Sequence, residues 1–159
     1  MRLPYKTLEK KLFAGDYRYV IGVDEVGMGC LAGPVVVCAV LFHRRFFKKT
    51  HKKLRWLRDS KLLRPHQREK FVGELLKEKG LKFQISYCRP KTIDRLNIYQ
   101  AARLAMKRSI KGLVSSIKRL RKPHNTKYLI PNTIILVDGK SKIAGLDIPQ
   151  MAIVKGDRK

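Results

Sequence analysis

Acidic side chains are scarce in this sequence: 12 Asp and Glu stand against 37 Lys and Arg, a formal charge of +25 over 159 residues. That imbalance excludes an ordinary mixed-sign surface, and a field of this size repels itself unless a polyanion neutralises it, so nucleic acid is the natural partner. Cysteine is scarce as well. Cys30, Cys38 and Cys88 are odd in number and form no CxxC spacing, which excludes a disulfide framework and a cysteine zinc site. They read as reduced thiols of a cytoplasmic protein, acting as small buried hydrophobes. The opening MRLPYKTLEKKLF holds no continuous apolar stretch, and no later segment approaches the roughly twenty apolar residues of a membrane span. Basic residues run along the whole chain rather than on one amphipathic stretch, which argues against a membrane-surface helix. Internal repeats and low-complexity tracts are absent too.

What remains is a chain that should fold. A hydrophobic fraction of 44% in periodic segments supports one core, and 159 residues suit a single domain acting as a monomer. Tyr17 to Val26, YRYVIGVDEV, is short, β-branched and apolar, and reads as a strand ending in two carboxylates. Gly22 within it suggests a close backbone approach. After Gly27-Met28-Gly29-Cys30 and Gly33-Pro34, Val35 to Phe42 is again β-rich, so the two runs read as neighbouring antiparallel strands joined by a glycine loop.

Arg44 to Arg64 carries ten basic side chains against one acid, Asp59, with Phe46, Phe47 and Trp56 among them. Such a mix suits a phosphate-binding surface and equally a solvated face. Pro65 opens a helical pattern through Lys79, with Phe71, Leu75 and Leu76 on one face, and Gly80 stops it. Leu81 to Cys88 is a third strand. Thr92 is placed to cap a long helix with Ile93, Leu96, Ala101, Leu104 and Ala105 at helical spacing. The basic segment Lys107 to Lys127 extends that helix until Pro123 breaks it. Asn132 to Val137 is a fourth strand delivering Asp138 before a glycine, and Gln150 to Val154 is a fifth.

With acids so few, those ending apolar strands stand out: Asp24, Glu25 and Asp138. A carboxylate in an apolar strand is costly without a compensating cation or donor. Three gathered at strand ends suggest a divalent-metal site, with oxygen ligands that suit Mg²⁺ or Mn²⁺. Pairing with the abundant Lys and Arg is the competing explanation. Adjacent strand residues face opposite sides, so Asp24 and Glu25 can share a site only where the strand ends or bulges, and the following glycines favour that. All three carboxylates are then expected on one side of the sheet.

The run YVIGVDEVGMGCLAGPVVVCAV resembles the first two strands of ribonuclease HII, whose pattern is DEVGRG followed by glycine-proline and a valine-rich strand. Asp59-Ser60-Lys61 resembles that family's DSK motif, and Ile93-Asp94 with Asn97-Ile98 and the alanines after them resembles its ID..NI..A helix. Val137-Asp138-Gly139 resembles its VDG, and Gln150 to Asp157, QMAIVKGD, its QQAIVKGD. Five separated motifs in the family's order are far more specific than any one of them.

The resemblance implies an α/β protein with the ribonuclease H-like fold: a mixed five-stranded sheet, three antiparallel strands then parallel ones, with flanking helices. It implies an endonuclease that hydrolyses the RNA strand of RNA/DNA hybrids, and ribonucleotides embedded in DNA duplexes, leaving a 5′-phosphate and a 3′-hydroxyl. Asp24, Glu25 and Asp138 fall on its metal-binding catalytic acids, serving two cations, Mg²⁺ or Mn²⁺. Gly27-Met28-Gly29 falls on the loop that senses the ribonucleotide 2′-hydroxyl, and Ser60 and Lys61 on groups that hold phosphate or sugar. Two departures qualify this. Met28 stands where the family has arginine, and Cys30 where it has proline. The family pattern also continues past KGD to a fourth catalytic aspartate and a tyrosine that lie outside these 159 residues, so the domain is expected to be incomplete at its C-terminus and cleavage weak or absent. A nucleic-acid-binding remnant of the same fold, without turnover, is the alternative function.

Overall fold

The computed structural model describes residues 7–48, 54, 56–119 and 132–154. Five strands form one sheet: β1 (Tyr19–Val26), β2 (Val35–His43), β3 (Leu81–Cys88), β4 (Thr133–Asp138) and β5 (Gln150–Ile153). Their order is β3-β2-β1-β4-β5. β1 pairs antiparallel with β2, and β2 with β3, whereas β1–β4 and β4–β5 are parallel. This is the mixed sheet, three antiparallel strands and then parallel ones, that the ribonuclease H-like expectation required. The helices are α1 (Thr7–Ala14), α2 (Arg44–Lys48), α3 (Pro65–Leu76), α4 (Pro90–Leu96) and α5 (Ile98–Arg119), with a 3-10 turn at Ser60–Leu62.

Alternation along the strands sorts the sheet into two faces. Ile21 and Val23 of β1, Val35, Val37, Ala39 and Leu41 of β2, and Ile135 and Val137 of β4 meet the buried stripe of α5, which includes Ala101, Ala105, Ile110 and Leu113. The alanines let the helix lie close to the strands. On the other face Val20, Ile134 and Leu136 pack against Leu12 and Phe13 of α1. β4 is buried from Thr133 to Val137 because it has cover on both faces, and this continuous apolar run differs from the alternation of β2 for that reason.

One polar group ties α5 into the sheet. Ser109 is fully buried, accepts from the Ala39 N–H at 3.0 Å and donates to the Gln84 carbonyl, so its hydroxyl bridges two residues that face each other across β2 and β3. Ser109→Ala leaves a buried amide N–H and a carbonyl without that partner. Urea denaturation should show a loss of about 1–3 kcal/mol at an unchanged m-value.

Several local expectations are corrected. Thr92 does not cap the long helix: Pro90 takes the first turn of the short α4, with Arg89 before it. The break falls at Asn97, whose φ of 66° is tolerated by its short polar side chain, and its Oδ1 accepts from the Gln100 N–H at 3.0 Å, capping α5. α3 ends at Leu76 and buries no residue, with Leu76 itself exposed. Gly22 marks no close approach, since a Cβ there would meet nothing within 4 Å. Of the thiols only Cys88 is buried; Cys38 is half-buried and Cys30 exposed, and all three are free. The segment after Arg119, with Pro123, and the KGD stretch with Asp157 lie outside the described residues. Among those described, no helix is long and apolar enough to cross a membrane.

Candidate metal and nucleic-acid site

β1 and β4 run parallel with Val23 opposite Val137, so the next residue of each, Asp24 and Asp138, leaves neighbouring strands at the same level. Both are exposed where the preceding valines are buried. By alternation both occupy the face that α1 packs on, while Glu25 follows Ile21 and Val23 onto the α5 face and is half-buried. The β1–β2 ladder continues without a bulge to Val26 opposite Val36. The glycines therefore do not end the strand at the acids, and by alternation Glu25 starts from the face opposite Asp24 and Asp138, rather than all three from one side as expected. Among the described residues no group of three His, Cys, Asp or Glu is gathered as a metal-holding cluster.

The acids nevertheless act on one another. Burial raises the Glu25 carboxyl above the ordinary carboxylate range, and the charges of Asp24 and Asp138 raise it further; its own backbone N–H and Lys61 pull it down. The Glu25 N–H donates to Asp24 Oδ1 at 2.8 Å, which turns that carboxylate back toward the chain. A group that holds its proton more tightly when folded favours the folded state at low pH and loses that contribution as pH rises through its folded value. Near pH 7 and without metal, Glu25→Gln should therefore melt above the unsubstituted protein. The gain should be about 1 kcal/mol or less for so solvated a group, vanishing below about pH 4. Thermal unfolding against pH reads this.

Lys61 enters from the 3-10 turn. Asp59 Oδ1 accepts the Lys61 N–H at 3.0 Å and caps the turn, and Arg68 of α3 donates from Nη1 to the Ser60 and Leu63 carbonyls at 3.3 and 2.8 Å. Buried Leu63 anchors it. Arg68 is a positioning residue that sequence reading did not single out; Asp59 stands within the DSK motif, and its place two residues ahead of the lysine, able to form a local turn, was the signal for its capping role.

In the Gly27-Met28-Gly29 loop the glycines differ. Gly27 has φ +102°, and a Cβ there would lie 2.6 Å from the Pro34 carbonyl oxygen, whereas one on Gly29 would meet nothing. The Cys30 N–H donates to the Gly27 carbonyl at 3.3 Å and closes the turn, leaving Met28 exposed. Beyond Asp138, Gly139 takes φ +121° and donates its N–H to the Ile153 carbonyl at 3.0 Å, tying this edge to β5.

The donor set suits a hard cation: only carboxylate oxygens, with the charges of Asp24 and Asp138 acting on Glu25, a repulsion that a divalent ion would relieve. A family model described as Ribonuclease HII matches residues 21–155. The chain belongs to the ribonuclease HII family. Ribonuclease HII of Caldicellulosiruptor saccharolyticus is 40% identical over 155 residues, covering 98% of this chain and 64% of the relative. The chain thus spans under two thirds of that ribonuclease HII's length. Among solved structures, the ribonuclease H2 from Pyrococcus horikoshii OT3 covers 88% of this chain and 64% of its own, with TM-score 0.56 and 22% identity. Bst-RNase HIII in complex with Mn²⁺ covers 91% and 48%, with TM-score 0.63 and 18% identity. These likenesses show the shared ribonuclease H-like fold.

Proposed function

We propose that the chain provides the carboxylate centre of an endonuclease that hydrolyses the RNA strand of RNA/DNA hybrids and cuts at ribonucleotides embedded in DNA duplexes. The observation that carries this reading is the placement of Asp24 and Asp138 at the same level of parallel neighbours, one residue past the Val23–Val137 pair, both acting with Lys61 on Glu25, within a ribonuclease HII chain. Asp24, Glu25 and Asp138 would hold Mg²⁺ or Mn²⁺. When bound, a cation pair supplies an activated water and stabilises the leaving oxygen. Lys61 brings a positive donor to the scissile strand, and Ser60 beside it a hydroxyl. The Gly27-Met28-Gly29 backbone approaches the ribonucleotide and senses its 2′-hydroxyl. An uncharged thioether at Met28 removes the guanidinium that the family pattern has there and lowers phosphate affinity. The charge of +25 draws the duplex in and makes its binding fall steeply with salt. In this reading the protein is cytoplasmic, where its free thiols stay reduced, and acts as a monomer.

A second reading is a nucleic-acid-binding protein of the same fold without turnover, favoured by the lack of a three-ligand cluster among the described residues. Single-turnover assays at enzyme excess separate the two, on an RNA/DNA hybrid and on a DNA duplex with one ribonucleotide. Metal-dependent products ending in 5′-phosphate and 3′-hydroxyl support the nuclease. Saturated binding with no product in Mg²⁺ or Mn²⁺ leaves the binding protein.

A further inference from the structure

A cavity of about 480 Å³ opens at the other end of the sheet, where β1 begins and β2 ends. Tyr19 lines it, five residues before Asp24. At the strand rise that is roughly 17 Å away along β1, so the cavity is separate from the carboxylate edge. Its lining has two chemistries. Buried Leu41 and Phe46, with the half-buried Tyr19 ring and Ile117, provide an apolar and aromatic wall. Exposed Arg45, Lys79 and Lys82 stand at the cavity, against one carboxylate, Glu78, among the described lining residues. His43 also lines it, held edge-on to Tyr19 with ring centroids 5.0 Å apart. Its Nδ1 accepts the Arg45 N–H at 3.1 Å, which makes Nε2 the protonated nitrogen of the neutral ring.

We propose that this cavity is a second nucleotide site, taking a nucleoside phosphate with its base on the aromatic wall and its phosphate on the Arg45, Lys79 and Lys82 side chains. The volume falls in the range of small-molecule sites, and an apolar wall with a few charged groups is the usual composition of such sites. Cations alone would meet any anion; the adjoining aromatic wall selects one with a flat ring, because base–aromatic stacking adds affinity that phosphate lacks. The nucleotide can come free or as one unit of a strand. The inference does not rest on the carboxylate centre or on cleavage.

The whole chain is titrated with AMP, inorganic phosphate and a short single-stranded oligonucleotide at about 0.15 M salt, where distant charges are screened. Gly80 also lines the cavity, at a backbone conformation open to other residues, and a Cβ there meets only Phe46 Cβ at 3.7 Å. Gly80→Leu therefore fills the space without altering charge. AMP is expected to saturate one site and bind at least tenfold more tightly than phosphate. Gly80→Leu and the double charge reversal Lys79→Glu, Lys82→Glu should each weaken AMP at least tenfold, and Asp24→Asn should leave it unchanged. Oligonucleotide binding that displaces AMP and drops in Gly80→Leu assigns the site to a strand; AMP binding with no such competition assigns it to the free nucleotide. AMP no tighter than phosphate, or unaffected by the charge reversal or by a folded Gly80→Leu, overturns the proposal.

Discussion

Asp138→Asn should lower Mn²⁺ affinity by at least about 100-fold, a loss that removing even an outer hydrogen-bond partner of a metal ligand can reach, and bring hybrid cleavage at enzyme excess to background. The substitution keeps the shape of an exposed side chain and removes one of the two charges that leave β1 and β4 together. It also removes one of the charges that raise the Glu25 carboxyl. The metal-free variant should consequently melt no lower than the unsubstituted protein, so loss of metal binding will not reflect unfolding. Asp24→Asn should behave alike and keep an oxygen to accept the Glu25 N–H. Mn²⁺ titration followed by electron paramagnetic resonance, with thermal unfolding on the same samples, checks both parts.

Gly27→Ala is expected to be the most damaging change in the loop. Alanine at φ +102° is strained in itself, and its Cβ would press on the Pro34 carbonyl oxygen, which belongs to backbone and cannot rotate aside. A cost of about 2–4 kcal/mol follows. The way to relieve it is to shift the turn that follows Asp24 and Glu25, and displacement of catalytic groups by about 1 Å costs about 100-fold in rate. Gly29→Ala is the matched control, because a Cβ there meets nothing, and it should change stability little. Urea denaturation and single-turnover cleavage on both variants read the contrast.

The sheet was legible because β-branched runs closed by glycine or acid have few other uses, and the order of motifs supplied the topology. Element boundaries were less so. The apolar spacing of Ile93 and Leu96 continues into Ala101 and Ala105 across the break at Asn97, so periodicity alone shows one helix where a side-chain cap makes two. Phe71, Leu75 and Leu76 share a helical spacing, but spacing gives phase and not a partner, and α3 buries none of them. The acids were legible as strand ends. Their starting faces follow from the two-residue period, and the unbroken ladder to Val26 shows that the glycines do not interrupt that period at Glu25. Lys61 was legible from a motif, while its influence on Glu25 and the Asp59 and Arg68 contacts that hold its turn needed coordinates. The distal cavity had no sequence signal, since it joins Tyr19, His43, Lys82 and Ile117 from four distant segments.

The most direct test of a carboxylate-held metal at the β1–β4 edge is paramagnetic broadening of assigned amide signals on adding substoichiometric Mn²⁺. Broadening should centre on Asp24, Glu25, Asp138 and Gly139, extend to Lys61, and disappear in Asp138→Asn. Broadening centred elsewhere, or unchanged by Asp138→Asn, would contradict it.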